Sequence, residues 1–405
     1  MKKWFVVIIL ACAQFVMVLD STVMNVSISE VVKDLHTTVS GLQAAITFYT
    51  LTMAAFMMTG GKLGDIWGRL RAFRIGSIVY ATGSLITAVS PSLGVLMFGW
   101  SLVEGLGAVL VIPAIAALIA VNYTGKDRVI GYTLIGAASG VAVAAGPLIG
   151  GYMTTYFSWR YVFAGETVIM AFILLFSRSI KESSQTAKSK LRIDIPSVVL
   201  SASGMALLIF GILQSKTWGW VIPKSTPQIG GQDIAPLGIS IVAYLLILGV
   251  YILKKFVDRQ RKLEAAKANP LLKVSMFGNK VLRSGLAVLS AQYLTTAAVF
   301  FILPIYLQMV LGLDALATGK KIFPLSVAIV IFSAIGSRLI DRFTPRQIVR
   351  TGQLGLVAGS LLILTSIDPQ LNGVLFACGM LVLGSGLGLL ASQIGNIIMS
   401  SVSEK

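Results

Sequence analysis

The sequence predicts an all-α membrane protein of about twelve spanning helices, set out as two helical bundles with an inserted helix pair. Three observations carry this prediction. Hydrophobic residues make up 56% of the chain and charged residues 12%, whereas soluble domains run at roughly 45–50% and about 25%. Apolar stretches recur along the whole chain, each close to the roughly 20 residues that a helix needs to cross a bilayer. The weak ten-residue alternation of a spanning β-barrel does not occur. Finally, the basic residues sort to one side of these stretches.

The expected spans are 4–28, 43–61, 72–90, 94–121, 130–156, 160–178, 195–214, 237–254, 283–310, 319–337, 347–366 and 373–400. With the N-terminus inside, only Lys33, Arg160, Lys216, Lys224, Lys320 and Lys321 of the 33 basic residues fall outside the internal segments. The net charge of +17 is then the positive-inside bias that orients the helices, and no nucleic-acid partner is needed to explain it. The expected location is the cytoplasmic (inner) membrane, multi-pass, with a cytoplasmic N-terminus.

The first apolar segment is longer than a signal-peptide core and lacks a cleavage site, so it counts as the first span. It contains VLDSTVMNVSISEV (18–31). Sixteen residues at about 1.5 Å rise put Asp20 about 24 Å beyond Trp4, in the outer part of the bilayer. Met17, Asp20 and Met24 share a face by helical spacing, combining one carboxylate with soft, adaptable surface. Such a face suits a flat lipophilic cation. A carboxyl group within a span is costly and points to function, although an interfacial Asp reaching headgroups is the plainer alternative.

Between the second and third spans stands GKLGDIWGRLR (61–71). Its glycines permit a tight turn, Asp65 suits a helix N-terminus, and the arginines suit carboxylates or lipid phosphate. Gly61, Leu63, Asp65, Gly68, Arg69 and Arg71 resemble the signature loop of the major facilitator superfamily. Ile66 stands where that family usually has an Arg. The resemblance implies a major facilitator fold in which this loop is a cytoplasmic gate. A weaker copy, SRLIDRFTPR (337–346), matches at Leu339 and Asp341 and brings in Arg342.

Glu104 lies near the middle of the fourth span, in WSLVEGLGAVLVIPA (100–114). A carboxyl group there is costly to ionise, which suits one that holds a proton and releases it when a cation binds. A hydrogen-bonded structural Glu is the alternative. The family usually shows Arg at Ser101 and Gln at Glu104. The fifth span carries Gly136, Gly140 and Ala144, then Gly146 and Gly150, at the spacing that lets helices approach closely. Pro147 frees a carbonyl and can bend the helix. The string Gly146–Gly151 (GPLIGG) resembles the motif that separates antiporters from symporters and uniporters in this superfamily. The first span resembles that of the fourteen-span drug:proton antiporter branch, with Asp20 and Asn25 in register. Glu166 in the sixth span is a possible additional acid, or a partner for Arg160.

Residues 1–178 form the expected N-terminal six-helix bundle, 179–280 a linker with two inserted spans, and 281–405 a C-terminal bundle of four spans. Counting from the repeat at 337–346, that bundle is expected to be incomplete, with two further spans after Lys405. Part of the basic stretch 254–280 is expected as an amphipathic surface helix ended by Pro270, with a solvated loop as the alternative. Gln292, Tyr293, Gln393 and Asn396 are candidates for the opposite wall of a cavity or for helix packing.

One histidine (His36) and two distant cysteines (Cys12, Cys378) cannot build a His/Cys metal centre or a Cys–His nucleophile, so neither metal nor enzyme is expected. With no phosphate-binding Gly-x4-Gly-Lys-Ser/Thr loop, ATP is not the expected driving force. The reading is a secondary active transporter that uses the proton gradient, with no cofactor. It would export small lipophilic, cationic drugs or toxic compounds by alternating access. Its partners are then the small-molecule substrate, protons and the lipid bilayer. A nutrient or metabolite symporter or uniporter of the same fold is the nearest alternative. A non-transporting membrane sensor and a membrane-embedded enzyme stand behind it.

Overall fold

The structure is a computed structural model that describes residues 4–180, 182, 193–226, 228–229, 232–233, 235–340, 342–367, 371 and 373–401. Apart from a two-residue antiparallel pair, Gln228–Ile229 with Gln232–Asp233, its regular structure is helical. The helices are α1 (Phe5–Val26), α2 (Ile28–Asp34), α3 (Val39–Trp67), α4 (Arg69–Ala88), α5 (Leu93–Leu96), α6 (Gly105–Asn122) and α7 (Gly125–Tyr156). They continue as α8 (Arg160–Phe176), α9 (Ile195–Trp218), α10 (Ile241–Ala265), α11 (Lys280–Ile305), α12 (Ala315–Leu339), α13 (Pro345–Ser366) and α14 (Gly373–Ser401). Two π-helical segments, Met97–Glu104 and Tyr306–Val310, are spliced between α5 and α6 and after α11.

Among the described residues, ten helices are long and apolar enough to cross a bilayer. The other two expected spans are α4 and α10, whose basic ends (Arg69, Arg71 and Arg74; Lys254 onward) dilute the apolar run. In hydrocarbon every backbone polar group must be bonded internally, and helices achieve this within one segment.

The chain forms two compact units. One comprises Met1–Leu42, Ile115–Lys181 and Met276–Lys405. Here α7 packs along both α1 and α12, and α14 packs between α12 and α13. The core around α14 is built from Phe376, Met380, Leu383 and Leu387 against Leu303, Leu307 and Leu325. At Gly359 an added methyl would lie 2.5 Å from the Leu383 backbone nitrogen, so α13 and α14 touch nearly backbone to backbone.

The other unit comprises Gln43–Ala114 and Glu182–Ser275. Here α4 packs on the first π-helical segment and α9 pairs with α10. The α9 N-terminus is capped by Asp194, which accepts from the Ser197 amide. Arg259 of α10 donates to both Asp194 oxygens, at 2.5 and 2.6 Å. These bonds, with help from Ser197 and against the cost of burial, hold the Asp194 carboxyl at about 2.

Two expected boundaries move. The stretch 61–71 is not a free loop: α3 continues to Trp67, and α4 restarts at Arg69 after the single residue Gly68. Gly68 has φ +96°, which an L side chain rarely adopts. The basic stretch 254–280 is neither a separate surface helix nor a solvated loop along its length. Its first part continues α10 to Ala265, and its last part holds a short 3₁₀ turn, Val274–Gly278. The turn between them is fastened by Gln260, which is buried. Its Oε1 accepts from the Leu271 amide at 2.7 Å and its Nε2 donates to Ser197 at the same distance. Pro147 lies inside α7, as the expected span 130–156 has it.

Candidate functional site

The side chain of Asp20 is fully out of solvent in α1, and Met17 and Met24 on the same face are also buried. Glu166, on α8, is likewise buried. The α1 and α8 helices pack together, and an Asp20 and a Glu166 carboxyl oxygen come within 4.8 Å of one another. Asn25 turns its amide to the Ser21 carbonyl of its own helix, at 3.0 Å.

Arg160, at the start of α8, is an ion-pair partner of Asp34 at the end of α2. The Trp159 indole donates to the same carboxylate at 3.0 Å, and the Arg160 guanidinium lies 4.6 Å over the indole ring. Burial works to raise the Asp34 carboxyl, but the hydrogen bonds from Arg160 and Trp159 outweigh it and hold it below the ordinary range. A second tie, Ser27 to Thr154 at 2.8 Å, joins the same ends of α1 and α7.

The α7 string lies where these helices meet. A methyl on Gly146 would collide with the Thr22 side chain, and one on Gly150 would lie 3.2 Å from the Val23 Cα, both on α1. On another face, a methyl on Gly319 of α12 would lie 2.8 Å from the Pro147 carbonyl oxygen. Gly146, Pro147, Gly150 and Gly151 are all buried. The motif thus packs α7 against α1 on one side and α12 on the other. Gly140 extends the α12 side, with Ile329 2.9 Å from its would-be Cβ.

In the second unit, Glu104 ends the π-helical segment and is fully buried. Gly83 of α4 lets that segment approach so closely that a methyl there would lie 2.5 Å from the Glu104 nitrogen. π-helical turns recur at functional sites. Ser101, one turn earlier, donates to the Ala45 carbonyl at 2.7 Å. The neighbouring Trp100 ring stacks on Tyr49 with centroids 4.9 Å apart.

Asp65 pairs with Arg69 across the Gly68 break, and Arg69 also reaches the Gly61 carbonyl at 3.4 Å. Arg71 is exposed. Lys62, in the same stretch, donates to the Pro270 carbonyl at 3.1 Å. This bond ties the α3 end to the turn after α10. Of the second copy, Arg342 is exposed, and Asp341 lies outside the described residues, as does the Asn396 side chain. Gln393 is buried and donates to the Gly336 carbonyl at 2.9 Å, which makes it a packing bond between α14 and α12. Its Oε1, the Gln292 Oε1 and the Gln308 Nε2 have no hydrogen-bond partner among the described residues.

Sequence reasoning missed the π-helical register before Glu104, the Asp34–Arg160–Trp159 cluster and the Gln260 clamp. No periodicity encodes a π turn. An Asp and an Arg 126 residues apart leave no local signal. A glutamine inside a basic, helix-forming run was a usable hint, because burying it requires partners for both ends of its amide.

The description "Major Facilitator Superfamily" matches residues 10–405. A puromycin resistance protein from Streptomyces alboniger is 28% identical over 91% of this chain and 69% of its own length. A multidrug resistance protein from Mycobacterium tuberculosis is 24% identical over 96% of this chain and 68% of its own. Among solved structures, the E. coli xylose transporter XylE in a partially occluded inward-open conformation aligns with a TM-score of 0.61. It does so at 13% identity, over 98% of this chain and 84% of that one. The human organic anion transporter TETRAN aligns at a TM-score of 0.57 and 15% identity, over 98% and 91%. At such identities these structures speak for the fold alone. The family match extends from within the first span to residue 405, and the chain therefore belongs to the major facilitator superfamily: a multi-pass membrane transporter, not an enzyme.

Proposed function

We propose that this protein exports small lipophilic compounds, cations among them, across the cytoplasmic membrane in exchange for protons. Bundles 1–178 and 281–405 would rock about a midplane site, with 179–280 as the inserted linker and the N-terminus in the cytoplasm. The observation that carries the reading is the buried carboxyl pair Asp20 and Glu166 in apolar helices. A proton shared there is displaced when a cation arrives, because the cation stabilises the second charge. Glu104, buried in its π-helical turn, is the further candidate for proton or cation binding. Several relatives are named as resistance or export proteins, which supports the outward direction.

In this reading Asp65, Arg69 and Arg71, with Gly61 and Gly68, form the cytoplasmic gate, with Asp341 and Arg342 as its counterpart in the second bundle. Gly146, Pro147, Gly150 and Gly151 set the sliding contact of α7 with α1 and α12 that rocking requires. The soft face of Met17 and Met24 would favour flat, apolar substrates.

The test is a growth-inhibition screen in an efflux-deficient host that expresses the chain, Asp20→Asn or Glu104→Gln. Resistance to at least one lipophilic cation, lost in Asp20→Asn at equal protein level, is expected. Equal resistance with and without Asp20 would remove that residue from the mechanism.

A further inference from the structure

The starts of α11 and α13, with Ile394 of α14, border an open cavity of about 680 Å³, well within the range of small-molecule sites. Lys280, Arg346 and Arg350 line it, and Val288, Val349 and Ile394 form an apolar wall. Among the described residues around it, none is acidic. Arg346 and Arg350 are four residues apart on α13 and so share a helix face. Lys280 opens α11.

Three cations around one space repel each other, and an anion between them converts that repulsion into attraction. Two helices also begin beside the cavity, each adding the partial positive charge of its N-terminus. Their caps already occupy several first-turn amides: Asn279 accepts from Val281 and Leu282, and Thr344 accepts from Gln347. The side-chain cations, rather than the backbone, are therefore the donors left for a ligand. The wall below them is apolar, so a bare inorganic anion would fill only the upper part. A phosphate group carrying hydrocarbon fills both. The charge distribution of the chain assigns this end to the cytoplasmic face, where anionic lipid headgroups meet basic pockets between helices.

We propose that this cavity binds the headgroup phosphate of an anionic phospholipid, with acyl chain laid along Val288, Val349 and Ile394. The ligand would join the start of α11 to α13.

The test measures thermal unfolding of the purified full chain in neutral detergent, with native mass spectrometry of retained adducts. Three probes are added at equal concentration: dioleoyl phosphatidylglycerol, dioleoyl phosphatidylcholine and inorganic phosphate. Phosphatidylglycerol is expected to raise the unfolding temperature and persist as an adduct, while the other two do neither. Each of Lys280→Gln, Arg346→Gln and Arg350→Gln should weaken phosphatidylglycerol binding on the order of fivefold, and Arg350→Lys should retain it. Val288→Trp, which fills the wall without touching charge, gives a second route to the same loss. Equal effects of the two lipids would overturn the proposal, as would unchanged binding in the glutamine variants. A full shift with inorganic phosphate alone would overturn the lipid assignment in favour of a free anion.

Discussion

The carboxyl groups of Asp20 and Glu166 approach to within 4.8 Å from two different helices, both shielded from solvent. If the two carboxyl groups share one proton, as proposed, they act as a unit rather than as separate sites. Asp20→Asn and Glu166→Gln should therefore each lower pH-driven transport by at least about tenfold, and the double variant should be little worse than either single one. Uptake assays in vesicles with an imposed pH gradient check this; additive losses would mean that the two acids act separately.

The contact between Gly146 and Thr22 makes a steric prediction. Gly146→Val would drive branched carbon into the Thr22 side chain, and overpacking of this kind costs about 1–3 kcal/mol. Thermal unfolding should fall accordingly, and Gly146→Ala should be partly rescued by Thr22→Ala, which removes the hydroxyl and one methyl. Failure of that rescue would show that the contact does not set the cost.

Gln260 offers a prediction at the other end of the chain's inserted pair. Gln260→Leu leaves the part-buried amides of Leu271 and Leu272 without their side-chain acceptor, at about 1 kcal/mol for a lost hydrogen bond. Trypsin should then cut faster at Lys267 and Lys273, seen as earlier fragments on a gel. Lys62→Met, which removes the bond to the Pro270 carbonyl, should have the same effect to a smaller degree.

The Asp194–Arg259 pair predicts a pH dependence. The Asp194 carboxyl titrates near 2 in the folded chain against an ordinary 3.8, so the unfolded chain takes up the proton first as pH falls. The stabilisation it gives is full above about pH 4 and is lost toward pH 2. Asp194→Asn should therefore unfold at lower temperature than the parent at pH 6, and the gap should close as pH is lowered through that window. A gap independent of pH would assign the loss to the α9 cap instead.

Much of the fold was legible because a bilayer leaves few choices: apolar runs of spanning length and one-sided basic residues locate the helices without knowledge of their packing. Helix ends were less legible. Ile66 and Trp67 prolong the apolar pattern beyond any loop signal, and only the backbone of Gly68 reveals where α3 stops. Asp20 stood out as a carboxyl group inside an apolar run. Glu166 did not separate itself from an Arg160 partner, because helical spacing gives the face of a residue and not its neighbour on another helix. The cavity at Lys280, Arg346 and Arg350 was invisible for the same reason: in sequence these are three ordinary members of a positive-inside excess.

Proton movement in everted membrane vesicles tests the central claim most directly. Vesicles energised to an acid interior receive ethidium or puromycin as probes while internal pH is followed by a quenching dye. The account predicts release of protons on addition of a transported probe, and loss of that release in Asp20→Asn. Transport of a labelled probe with no proton release, or release that persists without Asp20, would contradict it.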